Sequence, residues 1–197
     1  MIFNMSPYRR PITLVPVPAL ESSNYTYTGS AIEPTVTGYD SALMTQAGTA
    51  SAVNAGTYSV TYSLADPRHY RWADGTTEDK TLYWSINKAR YSLYLAKTGT
   101  LQYRVGIRAP SMLSPSDAAS FSLGAEMRYG RFNVSVGSVE EMTGPSDGVS
   151  RFSAIITLTT DMSGSVTDYM TVTLTYSGSN SNIKTTETAF TTVKATV

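Results

Sequence analysis

The chain has 197 residues, 41% of them hydrophobic and 14 of them tyrosine, too apolar and aromatic for a disordered chain. That length suits one large or two small domains with real cores. With no cysteine and one histidine, disulfides, thiolate catalysis and cysteine-based zinc sites are excluded.

Charged residues make up 15% of the chain and sum to zero, so there is no general attraction to nucleic acid or to an anionic membrane. Zero net charge also lowers colloidal repulsion, which favours an assembled state such as a homo-oligomer. The 28 threonines and 25 serines point to β-structure with hydroxylated outer faces.

Residues 1–11 carry Pro7 and Pro11 on either side of Arg9 and Arg10, and read as an irregular arm, a tail in preference to a docking element. Ile12–Val17 predicts a first strand, and Pro16 and Pro18 restrict it to an edge, because proline donates no ladder hydrogen bond. Asn24–Thr28 alternates and ends at the Gly29-Ser30 turn. Ile32–Thr37 predicts a strand with Pro34 as an edge or bulge signal. Gly48–Ala52 predicts a short strand leading to Asn54-Ala55-Gly56. There the clearest pattern begins: Tyr58, Val60, Tyr62 and Leu64 alternate with Thr57, Ser59, Thr61 and Ser63. Period two over eight residues gives one apolar and one hydroxylated face. Asp66-Pro67 starts a turn. After His69–Trp72, Asp74-Gly75 predicts a tight hairpin. Lys80–Ile86 returns as a strand with Leu82, Trp84 and Ile86 on one face. Seven short strands with turns every 8–12 residues is the pattern of an antiparallel sandwich.

Five blocks in this stretch carry a resemblance: Tyr25–Gly29, Pro34–Tyr39, Asn54–Tyr58, Tyr70–Thr77 and Trp84–Ala89. Together they resemble a bacterial immunoglobulin-like repeat, of the kind found in surface proteins of Gram-positive bacteria and in capsid or tail proteins of their phages. The resemblance covers residues 12–89 only. It implies an immunoglobulin-like β-sandwich used as a spacer, decoration or adhesive unit. It brings no catalytic residues with it.

Residues 90–197 do not repeat those blocks, yet β-signals persist. Strands are predicted at Leu101–Ile107, Phe121–Leu123, Phe132–Val136, Phe152–Thr160, Tyr169–Tyr176 and Thr188–Val197. In Tyr169–Tyr176, the residues Met170, Val172, Leu174 and Tyr176 share one face and Tyr169 with threonines shares the other. Residues 109–119 read as a loop with one helical turn from Ser116. Ser177–Asn182 reads as a hairpin loop, and Gly144–Gly148 as the long exposed loop. The expectation is an all-β chain: an arm at 1–11, a sandwich at 12–89, and a second β-rich domain at 90–197. Residues 88–92 form the junction, and the alternation of Tyr91, Leu93 and Leu95 predicts a strand shared across it in place of a flexible tether.

Candidate chemistry is sparse. His69 lies beside the Asp66-Pro67 turn with no Gly-x-Ser-x-Gly in the chain, and reads as a surface or packing histidine. Asp74, Glu78 and Asp79 lack the order of a calcium loop and read as a solvated hairpin; Asp147 and Asp161 stand alone. Glu140 and Glu141 are adjacent on a strand, so they point to opposite faces and cannot easily flank one glycosidic bond; they read as a charged turn or strand end. The arginines, Arg68, Arg71, Arg90, Arg104 and Arg108, form no basic stripe. Gly75-Thr76-Thr77 lacks the lysine of a phosphate loop. No catalytic, cofactor or metal residue is expected. Tyr25, Tyr27, Tyr70, Trp72, Tyr83 and Trp84 read first as core or inter-domain packing; aromatic rings can also stack on sugars, and the outward pair Tyr27 and Tyr83 is where a glycan platform would lie.

The reading that results is a non-enzymatic phage virion protein. It would decorate capsid or tail and expose the immunoglobulin-like module, with the second domain or the arm docked on other virion proteins. No secretory signal is read at the N-terminus, and no stretch reaches the ~18 apolar residues of a membrane span. The chain is therefore expected to assemble in the bacterial cytoplasm and leave on a particle at lysis. The alternative is a carbohydrate-binding or adhesin module for host-surface glycans. A glycan hydrolase on a β-scaffold comes third.

Overall fold

Alternation organises both halves of the chain. The structure, a computed structural model, describes residues 11–109, 113, 115–142 and 151–197. Among these residues it is all-β, with no α-helix and one 3-10 turn at Pro115–Ser120. The chain divides into two units, Met1–Asn87 and Lys88–Val197.

The first unit holds β1 (Thr13–Val15), β2 (Ala19–Leu20), β3 (Asn24–Thr26), β4 (Val36–Thr37), β5 (Met44–Gly48), β6 (Gly56–Leu64), β7 (Tyr70–Trp72) and β8 (Lys80–Asn87). A four-stranded sheet runs in the order β3-β8-β6-β5. Strand β6 is antiparallel to both neighbours, and β3 lies parallel to β8. The expected faces of β6 hold: Val60, Tyr62 and Leu64 are buried. They pack with Met44 of β5, Val15 of β1 and Trp72 of β7 into one core. Trp84 is buried as well, and its indole N–H donates to the Thr49 carbonyl at 3.0 Å.

Three expectations are corrected. The strand before β6 is Met44–Gly48, and Gly48–Ala52 keeps only the bridge from Ala52 to Ile32. Of β5 only Met44 is buried, so an edge strand of this kind shows no alternation to read. Ile32–Thr37 is not one strand; it is reduced to that bridge and the two-residue β4 on either side of Pro34. The Asp74-Gly75 turn joins no hairpin, because β7 pairs in parallel with β1 and not with β8. The turn closes on itself. Gly75 N–H donates to the Trp72 carbonyl at 2.8 Å, and Lys80 Nζ to Asp74 Oδ2 at 2.7 Å. It leaves Trp72 in the core with its indole N–H on the Glu78 carbonyl at 2.8 Å.

Gly48 ends β5 at φ 92°, where an added Cβ would stand 2.7 Å from the Ser59 carbonyl oxygen. Gly48→Ala combines positive-φ strain with a backbone clash. It is expected to destabilise the first unit by about 2 kcal/mol, read as a lowered midpoint in denaturant unfolding.

The second unit holds β9 (Ser92–Gly99), β10 (Gln102–Arg108), β11 (Phe121–Met127), β12 (Asn133–Val136), β13 (Glu140–Glu141), β14 (Phe152–Thr159), β15 (Ser165–Tyr176) and β16 (Thr186–Thr196). One sheet runs β12-β14-β10-β9 with β13 also on β14; the other runs β11-β15-β16. Phe152, Ala154, Ile156 and Leu158 point inward from β14, and Val166, Met170, Val172, Leu174 and Tyr176 from β15. Residues of the two sheets share both core clusters, so they pack face to face as a sandwich. At one end Phe121 gathers Tyr91, Phe152 and Tyr176 at centroid distances of 5.1 to 5.5 Å.

No strand is shared across the junction. Strand β8 stops at Asn87, and β9 begins at Ser92 and pairs with β10. Ala89, expected in the first domain, is buried and bridged to Ile183 in the second unit, and Tyr91 is buried in that unit's core. The apolar Tyr91 and Ala89 side chains thus commit residues 88–92 to the second unit. The helical turn expected from Ser116 lies within the 3-10 turn. Residues 1–10 of the arm and the Gly144–Gly148 loop with Asp147 lie outside the described residues.

Candidate functional site

The groups that the sequence offers for chemistry close turns. His69 Nδ1 lies 2.5 Å from Asp66 Oδ2. The His69 side chain, with the Arg68 amide behind it, holds the Asp66 carboxyl below its ordinary range. Asp74 is pulled down to about 2, first by Lys80 and then by the Thr76 hydroxyl and amide. Glu140 and Glu141 are exposed on β13 opposite Ser153 and Phe152. Among the described residues no three of His, Asp and Glu are grouped to hold a metal ion, and no helix is long and apolar enough to cross a membrane.

Tyr27 and Tyr83 are not brought together. Tyr83 is 67% exposed on β8, opposite Ser59. Tyr27 is half-buried, and its amide extends the β3–β8 ladder by donating to the Asn87 carbonyl at 2.9 Å. Alternation therefore puts it on the side of Tyr25, which meets Trp84 edge-on at 6.2 Å. The two tyrosines lie on opposite faces and form no common platform. Tyr83→Ala removes an exposed ring only, so its effect on stability is expected to stay within about 0.5 kcal/mol, measured by thermal unfolding.

A more organised surface lies on the outer face of β11-β15-β16. Alternation in β15 turns Asp168, Met170 and Val172 inward and Tyr169, Thr171 and Thr173 outward. Opposite Thr171 stand Phe190 of β16 and Glu126 of β11, and opposite Tyr169 stands Thr192. Phe190 is 75% exposed. These residues and Arg128 line a groove of about 640 Å³. The Arg128 guanidinium carbon lies 5.4 Å from the Tyr129 ring centroid and 5.9 Å from that of Tyr169. Arg131 lies over Tyr129 at 5.3 Å, and the two tyrosines meet edge-on at 6.0 Å. Cation–π contacts of this kind attract a guanidinium to the ring electrostatically.

Asp168 fixes the turn that presents these groups. It is fully buried. Its Oδ1 accepts from the Tyr129 amide at 3.0 Å and the Tyr169 amide at 2.7 Å, and its Oδ2 from the Arg131 amide at 2.9 Å. Burial pushes its pKa up. The three amides and the Arg131 charge outweigh that, and the carboxyl sits below its ordinary value. Arg131 also donates to the Thr167 carbonyl at 2.8 Å, and the Thr160 hydroxyl donates to the Arg131 carbonyl at 2.7 Å. Gly130, at φ 64°, lets the chain turn between Tyr129 and Arg131.

The outward side of Tyr169 is expected from its strand pattern. Arg128, Tyr129, Arg131 and Phe190 are not expected from the sequence. One signal was present: Asp168 stands at an inward position between Val166 and Met170, and a carboxylate there demands donors. Which donors answer it is a matter of tertiary structure.

The chain is thus an all-β protein of sandwich type with a cation–aromatic surface on its second unit. No protein-family model matches it, and no curated protein matches it. Among solved structures, domains 4 and 5 of the S-layer protein SbsC are similar at a TM-score of 0.33 and 12% identity, over 88% of this chain and 94% of that one. A likeness that loose leaves fold and function to be argued from this chain's own residues.

Proposed function

We propose that the chain is a non-enzymatic structural protein of a bacteriophage virion, decorating capsid or tail and displaying its first unit as an immunoglobulin-like module. One observation carries this reading. The blocks that resemble the bacterial immunoglobulin-like repeat fall on the frame of the first unit. Tyr25 and Thr26 lie on β3, Val36 and Thr37 on β4, Gly56–Tyr58 on β6, Tyr70–Trp72 on β7 and Trp84–Asn87 on β8. The commitment of His69, Asp66, Asp74 and Lys80 to turns supports a scaffold over a hydrolase. In this reading the second unit or the 1–11 arm docks on other virion proteins or on a second copy. Assembly takes place in the host cytoplasm, and neither cofactor, nucleic acid nor membrane takes part. Mass spectrometry of purified particles should find the chain in many copies; particles that lack it sink the proposal.

A second reading, recognition of host-surface glycans, is favoured by the exposed Tyr169, Tyr129 and Phe190 rings of the second unit. An array of wall polysaccharides should give signals that Tyr169→Ala removes without changing the melting temperature. A blank array removes this reading.

A further inference from the structure

We infer that the outer face of β11-β15-β16 binds an acidic saccharide, with Arg128 as the anion-binding fork and Tyr169 and Phe190 as the stacking surface. This rests on the glycan-recognition reading and names its ligand class.

The Arg128 side chain is exposed, and its guanidinium carbon lies 5.4 and 5.9 Å from the Tyr129 and Tyr169 ring centroids. Its backbone amide is in the ladder, donating to the Tyr169 carbonyl at 2.9 Å. No hydrogen bond or ion pair engages its side chain among the described residues. A cation–π contact attracts the positive charge to the ring and uses up none of the five N–H donors. Arg128 therefore presents a fork of N–H donors that suits a carboxylate or phosphate. An arginine free to move would lose side-chain entropy on binding; here the two ring contacts restrict part of that freedom beforehand. The turn beneath is held by hydrogen bonds from the Tyr129 and Arg131 amides to Asp168.

The rest of the groove suits a sugar. Tyr169 and Phe190 are diagonal neighbours across β15 and β16 and both are exposed, so two apolar faces stand side by side on rigid strands. Between and beside them Thr171 and Thr192 add hydroxyls, and Glu126 adds an acceptor. Rings for the C–H faces of a pyranose, hydroxyls for its polar edges and a fork for one anion are the requirements of a uronic or phosphorylated sugar. A nucleic acid would need a run of cations, and here Glu126 shares the groove with Arg128.

The test is calorimetric titration of the whole 197-residue chain with four probes: an oligogalacturonate, a phosphorylated oligosaccharide, a neutral dextran oligosaccharide and inorganic phosphate. The acidic sugars should bind at least about tenfold more tightly than dextran, and Arg128→Gln should remove that advantage. Phe190→Ala, at an exposed position, should weaken the acidic sugars at unchanged melting temperature. Arg104→Gln, exposed on β10, should leave binding alone. Affinity should fall as salt rises, because the fork is exposed. The tighter of the two acidic sugars identifies the anion. Dextran binding as tightly, with no effect of Arg128→Gln, overturns the acidic class while glycan recognition stands. Inorganic phosphate binding as tightly as the sugars overturns the saccharide assignment. No binding by any probe overturns both readings.

Discussion

Asp168→Ala is expected to lower the stability of the second unit by about 3 kcal/mol, because three part-buried backbone amides lose their acceptor at once. The individual costs, about 1–3 kcal/mol each, are not additive. Chemical denaturation followed by far-ultraviolet circular dichroism measures the loss. Asp168→Asn keeps one acceptor oxygen and should lose less. The sign of the pH effect follows from the lowered pKa. A carboxyl whose folded pKa lies below its unfolded value, near 4, contributes its full stabilisation above that value. The contribution is lost as pH falls through the folded pKa. Wild type should therefore lose stability on acidification below about pH 4 more steeply than Asp168→Asn. Equal acid limbs would remove the assigned role. Since the same amides hold the Tyr129–Arg131 turn, Asp168→Asn should also loosen the stack around Arg128 and weaken any ligand that it binds.

Trp72→Ala is the second large effect. The side chain is fully buried in the core with Val15, Val60 and Tyr62, and its removal should cost about 3–5 kcal/mol through lost transfer energy and the cavity left behind. The Glu78 carbonyl loses its indole donor as well. A unit of this size has roughly 5–10 kcal/mol in total, so the variant should unfold in mild denaturant. Both tryptophans lie in the first unit, and Trp84 remains as a reporter. Tryptophan fluorescence should therefore show an early transition of the first unit while circular dichroism still registers the second. Trp72→Phe refills most of the space and should recover most of the loss.

The elements with two unlike faces could be read from the sequence. Strand β6 shows Val60, Tyr62 and Leu64 on one side, and β15 shows Met170, Val172, Leu174 and Tyr176; both faces are buried as expected. Strand β5 escaped because four of its five residues are exposed. The parallel pairing of β1 with β7 escaped for another reason: Thr13 and Tyr70 are partners far apart in the chain, and neither short strand has a pattern that names the other. The same holds for the candidate site. Tyr83 was legible as outward, whereas Tyr27 was not legible as half-buried, since it lies one residue past the end of β3. Phe190, standing fully out from β16, breaks the apolar-in rule that made the other strands readable.

By itself the sequence determined the all-β class, the hydroxylated outer faces and the inward sets of the long strands. These follow from a period of two, which acts between neighbours in the chain. The strand predicted from the sequence begins at Tyr169, so Asp168 is assigned no face, and its burial is seen only in the structure. Only the tertiary structure decided that the amides of Tyr129 and Arg131, nearly forty residues away in sequence, would satisfy its carboxylate. That decision depends on β11 pairing with β15 in one particular register, and register is a contact between distant segments, invisible to local periodicity. The Arg128, Tyr129 and Tyr169 surface is a consequence of that register.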